Sequence, residues 1–113
     1  MRRSGVRFPK AARTFNLVRQ AFKIRLMLAV ACREVIRNQT GMSHPMHLHG
    51  HHFQIVAIGS ARFAGAMRDT VLVPAKGEVT IAFDADNSGR WPFHCHHLYH
   101  FHAGMAGVVE YVS

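Results

Sequence analysis

The clearest structural pattern in this chain lies in residues 68–96, which read RDTVLVPAKGEVTIAFDADNSGRWPFHCH. Three runs rich in β-branched and aromatic residues, at 69–73, 78–83 and 90–94, are separated by the turn sequences PAKG and DNSG. Short runs with turns at this spacing predict antiparallel strands. The last strand leads into a His-Cys-His triplet, residue types that bind metal ions.

The same pattern extends to both sides of this stretch. Further β-rich runs occupy residues 34–37, 53–58 and 108–112, and Gly59-Ser60 is another candidate turn. Residues 95–101 leave room for one helical turn at most, and the sequence shows no internal repeat. These features predict an all-β fold, an antiparallel β-sandwich.

Length and composition exclude several classes of protein. A chain of 113 residues forms one domain at most. Its apolar content of 49% and charged content of 18% are those of a globular protein, not a disordered one. No run of about 18 apolar residues exists, so no transmembrane helix is expected.

The two ends of the chain differ in charge. Ten of the fourteen Lys and Arg residues, but only one of the six acidic residues, lie in residues 1–37. We treat residues 1–28 as a basic N-terminal segment, irregular or helical, because loose helical periodicity runs through Phe15, Phe22 and Leu26. Three interpretations stay open for it: a short secretory signal ending in the apolar run 26–31, an arm that binds nucleic acid or membranes, or an aberrant start on a truncated gene.

All ten histidines lie between His44 and His102. In HCHHLYHFHAGM, residues 94–105, side chains alternate faces as the strand ends, so Cys95 points away from its two histidine neighbours. His100 and Met105 can return to the cysteine's side. With His44 they complete two imidazoles, a thiolate and a thioether, the ligand set of a blue-copper site.

The second histidine motif is HPMHLHGHHF, residues 44–53. Its His47 and His49 share a face if the segment is extended. Together with His94 and His96 they offer four imidazoles directed away from Cys95. Imidazole alone does not distinguish copper from zinc, iron or nickel.

Other chemistries fit these residues less well. The two cysteines form no CxxC pair, which argues against a disulfide framework and a structural zinc knot. His96 and His100 lack the glutamate of a zinc protease. Cys95 as a nucleophile would leave the surrounding histidines and Met105 without a role.

The two motifs, with the sequence between them, resemble the C-terminal copper motifs of multicopper oxidases, the group of laccases and bacterial copper-resistance oxidases. The resemblance runs from Glu34 to Val112 and implies a cupredoxin, or plastocyanin-like, Greek-key β-sandwich that binds copper. It implies type 1 copper ligands His44, Cys95, His100 and Met105, the type 2 ligand His47, and type 3 ligands His49, His94 and His96. It further implies that electrons from a reducing substrate pass through Cys95 and its neighbours His94 and His96 to a trinuclear copper cluster, which reduces dioxygen to water.

The chain also departs from the family. The trinuclear cluster of the family needs two HxH motifs from an N-terminal cupredoxin domain, and none occurs before residue 44. We therefore expect residues 29–113 to be a C-terminal domain truncated at its N-terminal side, without its first strands and inactive in isolation. The alternative is a copper-binding or electron-carrying module without catalysis. His51, His52, His97 and His102 are expected to support ligands or to be solvated.

The resemblance also implies partners and a location. These are copper ions, dioxygen, a phenol-like or metal-ion reductant and the missing domain with its HxH motifs, in the periplasm or another extracytoplasmic space. The chain's own export signal is weak. Nucleic acid is not an expected partner, because no recognition motif or aromatic platform accompanies the basic segment.

Overall fold

The computed structural model describes residues 13–17, 22–28, 30–95 and 106–112. These ranges contain strands and no helix. The strands are β1 Arg13–Leu17, β2 Phe22–Met27, β3 Ala31–Asn38, β4 His44–Leu48, β5 Phe53–Ile58, β6 Ala61–Arg62, β7 Met67–Arg68, β8 Thr70–Val73, β9 Glu78–Asp84, β10 Arg90–Cys95 and β11 Ala106–Val112. In this part of the chain, no segment qualifies as a membrane-spanning helix.

The strands form two sheets. The first sheet has the order β1-β3-β9-β5-β6, and the short β7 also pairs with β5. The second sheet has the order β2-β11-β10-β4-β8. β1 runs parallel to β3 and β2 runs parallel to β11, whereas the other pairs are antiparallel.

One hydrophobic core joins the two sheets. In β9 the alternate residues Val79, Ile81 and Phe83 belong to the core cluster, as expected of residues on one face of a strand. Thr80 and Ala82 between them are also buried, outside that cluster. The second sheet adds its own buried residues to the same cluster, namely Ile24, Leu26, Met46, Leu48, Val71, Val73, Phe93, Cys95 and Val109. The predicted all-β sandwich is confirmed.

The basic N-terminal segment, residues 1–28, was expected to be irregular or helical, and the part of it that the structure describes is not. Residues 13–17 and 22–27 are strands at the edges of the two sheets, so the sandwich has two strands before residue 29. In β2 the buried Ile24 and Leu26 alternate with the exposed Arg25, and this two-residue period outweighs the looser helical spacing. The boundary at residue 28 and the truncation stay predictions.

Strand β4 was absent from the strands predicted by composition. Its sequence HPMHL contains a proline and two histidines, residues that do not favour strands. It forms because it lies between β10 and β8 and buries His44, Met46 and Leu48 on one face. This missed strand carries two of the eight candidate metal ligands, His44 and His47.

Candidate metal centre

Strands β4 and β10 place the candidate ligands on both faces of the second sheet. Their antiparallel register sets His94 opposite His47 and Cys95 opposite Met46. His44 and Cys95 face the core and are about 2% and 1% exposed. His47 and His94 lie on the other face and are half-buried. The strand alternation thus separates one thiol-containing group from one imidazole group.

The group on the core side contains Cys95 and His44. Cys95 Sγ lies 3.7 Å from His44 Nδ1. For a metal ion about 2.3 Å from the sulfur and about 2.0 Å from the nitrogen, this separation gives an S–metal–N angle of about 120°, the angle of a trigonal site. Neither cysteine forms a disulfide, so the sulfur of Cys95 can act as a ligand. These two residues fit copper in donor type and in spacing.

The group on the outer face contains three imidazoles. His49 Nε2 lies 3.0 Å from His94 Nε2, and the two ring centroids are 5.1 Å apart. The His47 ring lies 4.6 Å from that of His49 and 5.8 Å from that of His94. If both nitrogens lay about 2.0 Å from one metal ion, their separation of 3.0 Å would correspond to an N–metal–N angle of about 100°. The arrangement is suited to holding metal ions with nitrogen ligands.

Hydrogen bonds to the opposite ring nitrogen set the direction of two of these imidazoles. His47 Nδ1 lies 3.0 Å from the carbonyl oxygen of Asp69 and 3.0 Å from Thr70 Oγ1. His94 Nδ1 lies 3.0 Å from the carbonyl oxygen of Cys95. A carbonyl only accepts, so each Nδ1 is the protonated donor and each Nε2 keeps its lone pair for a metal.

Three predicted ligands, His96, His100 and Met105, lie outside the described residues. Among the described residues, no group of three His, Cys, Asp or Glu side chains is arranged around a single ion. The structure therefore brings together His44 with Cys95 and His47 with His49 and His94. The roles inferred from the family resemblance stay predictions.

His51 has a structural role that the sequence did not specify. It is buried, and its Nδ1 donates to the carbonyl oxygen of His49 at 3.1 Å. Its Nε2 then accepts from the Tyr111 hydroxyl at 2.6 Å, with the two rings stacked. Burial is the largest influence on Tyr111 and raises the pKa of its phenol, which keeps the phenol neutral as a donor. His52, by contrast, is exposed.

A groove of about 440 Å³ lies on the first sheet, away from these ligands. Its lining includes Arg33, Arg62 and Glu78, and none of the candidate metal ligands. This groove lies on the first sheet, whereas the described candidate metal ligands lie on the second.

Known proteins similar to this chain include multicopper oxidases. The family model described as multicopper oxidase matches residues 4–113, which includes most of the basic segment that we expected to fall outside the resemblance. The multicopper oxidase MmcO of Mycobacterium tuberculosis is 49% identical over 76 residues, and the alignment covers 66% of this chain and 14% of that protein.

Two solved structures extend the likeness to the fold. A multicopper oxidase from Campylobacter jejuni, a metallo-oxidase, has a TM-score of 0.70 at 30% identity over 78% of this chain and 20% of its own. A laccase from Pediococcus acidilactici has a TM-score of 0.80 over 96% of this chain and 29% of its own, and its 19% identity shows the fold alone. The chain spans only a small part of each relative. With the family model matching nearly its whole length, this chain belongs to the multicopper oxidases, a family of copper-dependent oxidoreductases.

Proposed function

We propose that this chain is the electron-entry domain of a copper-dependent oxidase that reduces dioxygen to water. His44 and Cys95, with His100 and Met105, hold a type 1 copper. His47, with His49, His94 and His96, supplies half of a type 2 and type 3 trinuclear site. Copper supplies one-electron chemistry when bound, because it cycles between two oxidation states.

The position of Cys95 carries this proposal. Its side chain lies with His44 on the core side of β10, whereas the adjacent His94 belongs to the imidazole group on the other side. The His94 ring also donates to the Cys95 carbonyl oxygen at 3.0 Å. Cys95 and His94 are thus joined by a peptide bond and by a hydrogen bond. This connection gives electrons a short route between the two groups.

An alternative is a copper-binding electron carrier without catalysis. A carrier needs only the site that contains Cys95. The close packing of His47, His49 and His94 on the opposite face has no use in a carrier, and it favours the oxidase.

The partners follow from this proposal. The oxidase takes electrons from a phenol-like compound or a metal ion, and it completes its trinuclear site with an N-terminal cupredoxin domain that carries HxH motifs. The relatives include proteins named multicopper oxidase and laccase, which supports copper-dependent oxidation as the class of reaction. We place the protein in the periplasm or another extracytoplasmic space.

The metal assignment is tested by the visible absorption of the chain with Cu(II). Coordination by Cys95 is expected to give an intense thiolate-to-copper charge-transfer band. Cys95→Ser is expected to abolish this band, because a hydroxyl cannot replace the thiolate as a soft ligand.

Bound copper serves as the control in that experiment. Cys95→Ser should still retain copper on the imidazole face, detectable by metal analysis after desalting. A folded wild-type chain that binds Cu(II) without colour would contradict the type 1 assignment.

A further inference from the structure

His44 contacts a residue on each of its two ring nitrogens. Nδ1 faces Cys95 Sγ at 3.7 Å, and Nε2 lies 2.7 Å from Thr40 Oγ1. A neutral imidazole has one protonated nitrogen and one lone pair, so only one of its two tautomers presents a lone pair toward Cys95. Which tautomer forms depends on whether the Thr40 hydroxyl donates to His44 or accepts from it.

Asn38 determines whether the Thr40 hydroxyl donates or accepts, because the orientation of the Asn38 amide is unambiguous. Its Nδ2 lies 2.8 Å from the Met42 carbonyl oxygen, 3.1 Å from that of Val73 and 3.0 Å from that of Pro74. Only the NH₂ group can face three acceptors, so the opposite atom is the amide oxygen. Asn38 is about 1% exposed, and these contacts fix its side chain at the end of β3.

The amide oxygen of Asn38 then directs the Thr40 hydroxyl. Oδ1 accepts from the Thr40 backbone N–H at 2.9 Å and lies 2.7 Å from Thr40 Oγ1. The Met42 carbonyl oxygen, 3.0 Å from Oγ1, is also an acceptor. A hydroxyl has one proton, and both of these neighbours can only accept it. Thr40 Oγ1 is therefore left to accept from His44 Nε2.

We infer that Thr40, held by Asn38, is a positioning residue that keeps the proton of His44 on Nε2 and directs the Nδ1 lone pair at Cys95. The consequence for copper rests on the proposed function, whereas the tautomer itself does not. Backbone hydrogen bonds from Asn38 to Gly77 and from Lys76 to Thr40 tie this segment to the turn before β9. The metal site is thereby oriented by the end of β3, a strand of the other sheet.

The direct test reads the tautomer in the metal-free chain. Two-bond ¹⁵N–¹H correlation spectra at pH 8, above the ordinary histidine pKa of about 6.5, distinguish Nε2–H from Nδ1–H. We expect Nε2–H for His44 in the wild type and in Thr40→Ser, which keeps the hydroxyl. Thr40→Val, which removes it at nearly equal volume, should lose this preference, and Thr40→Ala gives the same comparison if valine does not fit.

A matched control is Thr80→Val, which removes a buried hydroxyl from β9 in the other sheet. It should leave the His44 spectrum unchanged. The inference would be overturned if the proton of His44 were on Nδ1 in the wild type. It would also be overturned if Thr40→Val kept the same His44 tautomer as the wild type.

Copper affinity gives a second readout. Loss of an outer hydrogen bond to a ligating histidine weakens metal binding by about 10–100-fold, so Thr40→Val should bind Cu(II) at the thiolate site more weakly than Thr80→Val by such a factor. Affinity equal to that of Thr80→Val would contradict the positioning role. A colourless wild-type complex would contradict the proposed function and leave the metal-free tautomer result standing.

Discussion

Gly50 follows the candidate ligand His49 and cannot carry a side chain without strain. Its φ is +75°, in the left-handed region, and a Cβ built on it would lie 2.5 Å from Trp91 Cδ2. Trp91 cannot easily move, because its Nε1 donates to the Asn87 carbonyl oxygen at 2.7 Å. Asn87 Nδ2 in turn donates to the Gly50 carbonyl oxygen at 2.8 Å. These contacts fix the backbone beside His49.

Gly50→Ala should therefore destabilise the chain through two additive effects. The left-handed conformation costs a non-glycine residue about 1–2 kcal/mol, and overpacking against Trp91 costs about 1–3 kcal/mol more. The measurement is the free energy of unfolding from urea denaturation. Gly59→Ala is the matched control, because its φ is +60° with no atom within 4 Å of the added Cβ. Equal losses in the two variants would show that Trp91 does not restrict Gly50.

Among the described residues, residue types and strand alternation were sufficient to predict that His44 lies near Cys95 and that an imidazole group lies on the other face. His44 and Cys95 meet across 51 residues, and the alternation of His94 and Cys95 appeared in the sequence itself. The hydrogen bonds that orient the rings could not be predicted in this way. Asn38, Thr40 and Tyr111 are common polar residues whose partners depend on turns and on distant strands.

Strand β2 is the element in which prediction and structure differ most. It pairs in parallel with β11 over six residues, from the Gly107–Phe22 pair to the Val112–Met27 pair. By contrast, the strands that were predicted from β-rich runs lie within three residues of their predicted bounds at each end. β2 was missed because a basic composition concealed its two-residue alternation. Because β2 pairs in parallel with β11, no hairpin turn connects the two strands, and the sequence near β2 carries no turn signal that would reveal the pairing.

Leu26→Ala tests whether β2 contributes to the core. Leu26 is about 2% exposed, and truncation of a buried leucine costs about 2–5 kcal/mol. Its neighbour Met27 is 63% exposed, and Met27→Ala should change stability by no more than about 0.5 kcal/mol. Both values come from urea denaturation of the metal-free chain. Equal effects of the two substitutions would mean that β2 does not pack in the sandwich in solution.

At the scale of the whole molecule, the described part of the chain supplies the imidazole group from one side. His47, His49 and His94 come from β4, the turn after it and β10, all on one face of one sheet. A cluster that holds several ions needs ligands from more than one direction. Association of two copies would present the same face twice. The proposed oxidase instead takes its HxH motifs from a different domain.

The copper-loaded chain alone should therefore not reduce dioxygen, although its thiolate site should accept an electron. Conversion of dioxygen to two water molecules takes four electrons. One thiolate copper site with half of a trinuclear cluster is not expected to deliver all four. The measurement is oxygen consumption with a phenol as reductant, and the control is His49→Ala, which removes one imidazole of the group. Steady uptake by the wild-type chain that disappears in His49→Ala would show that a working cluster assembles from this face alone. If uptake starts only after addition of a separate cupredoxin domain with two HxH motifs, the missing ligands come from that domain, because neither preparation holds a complete set.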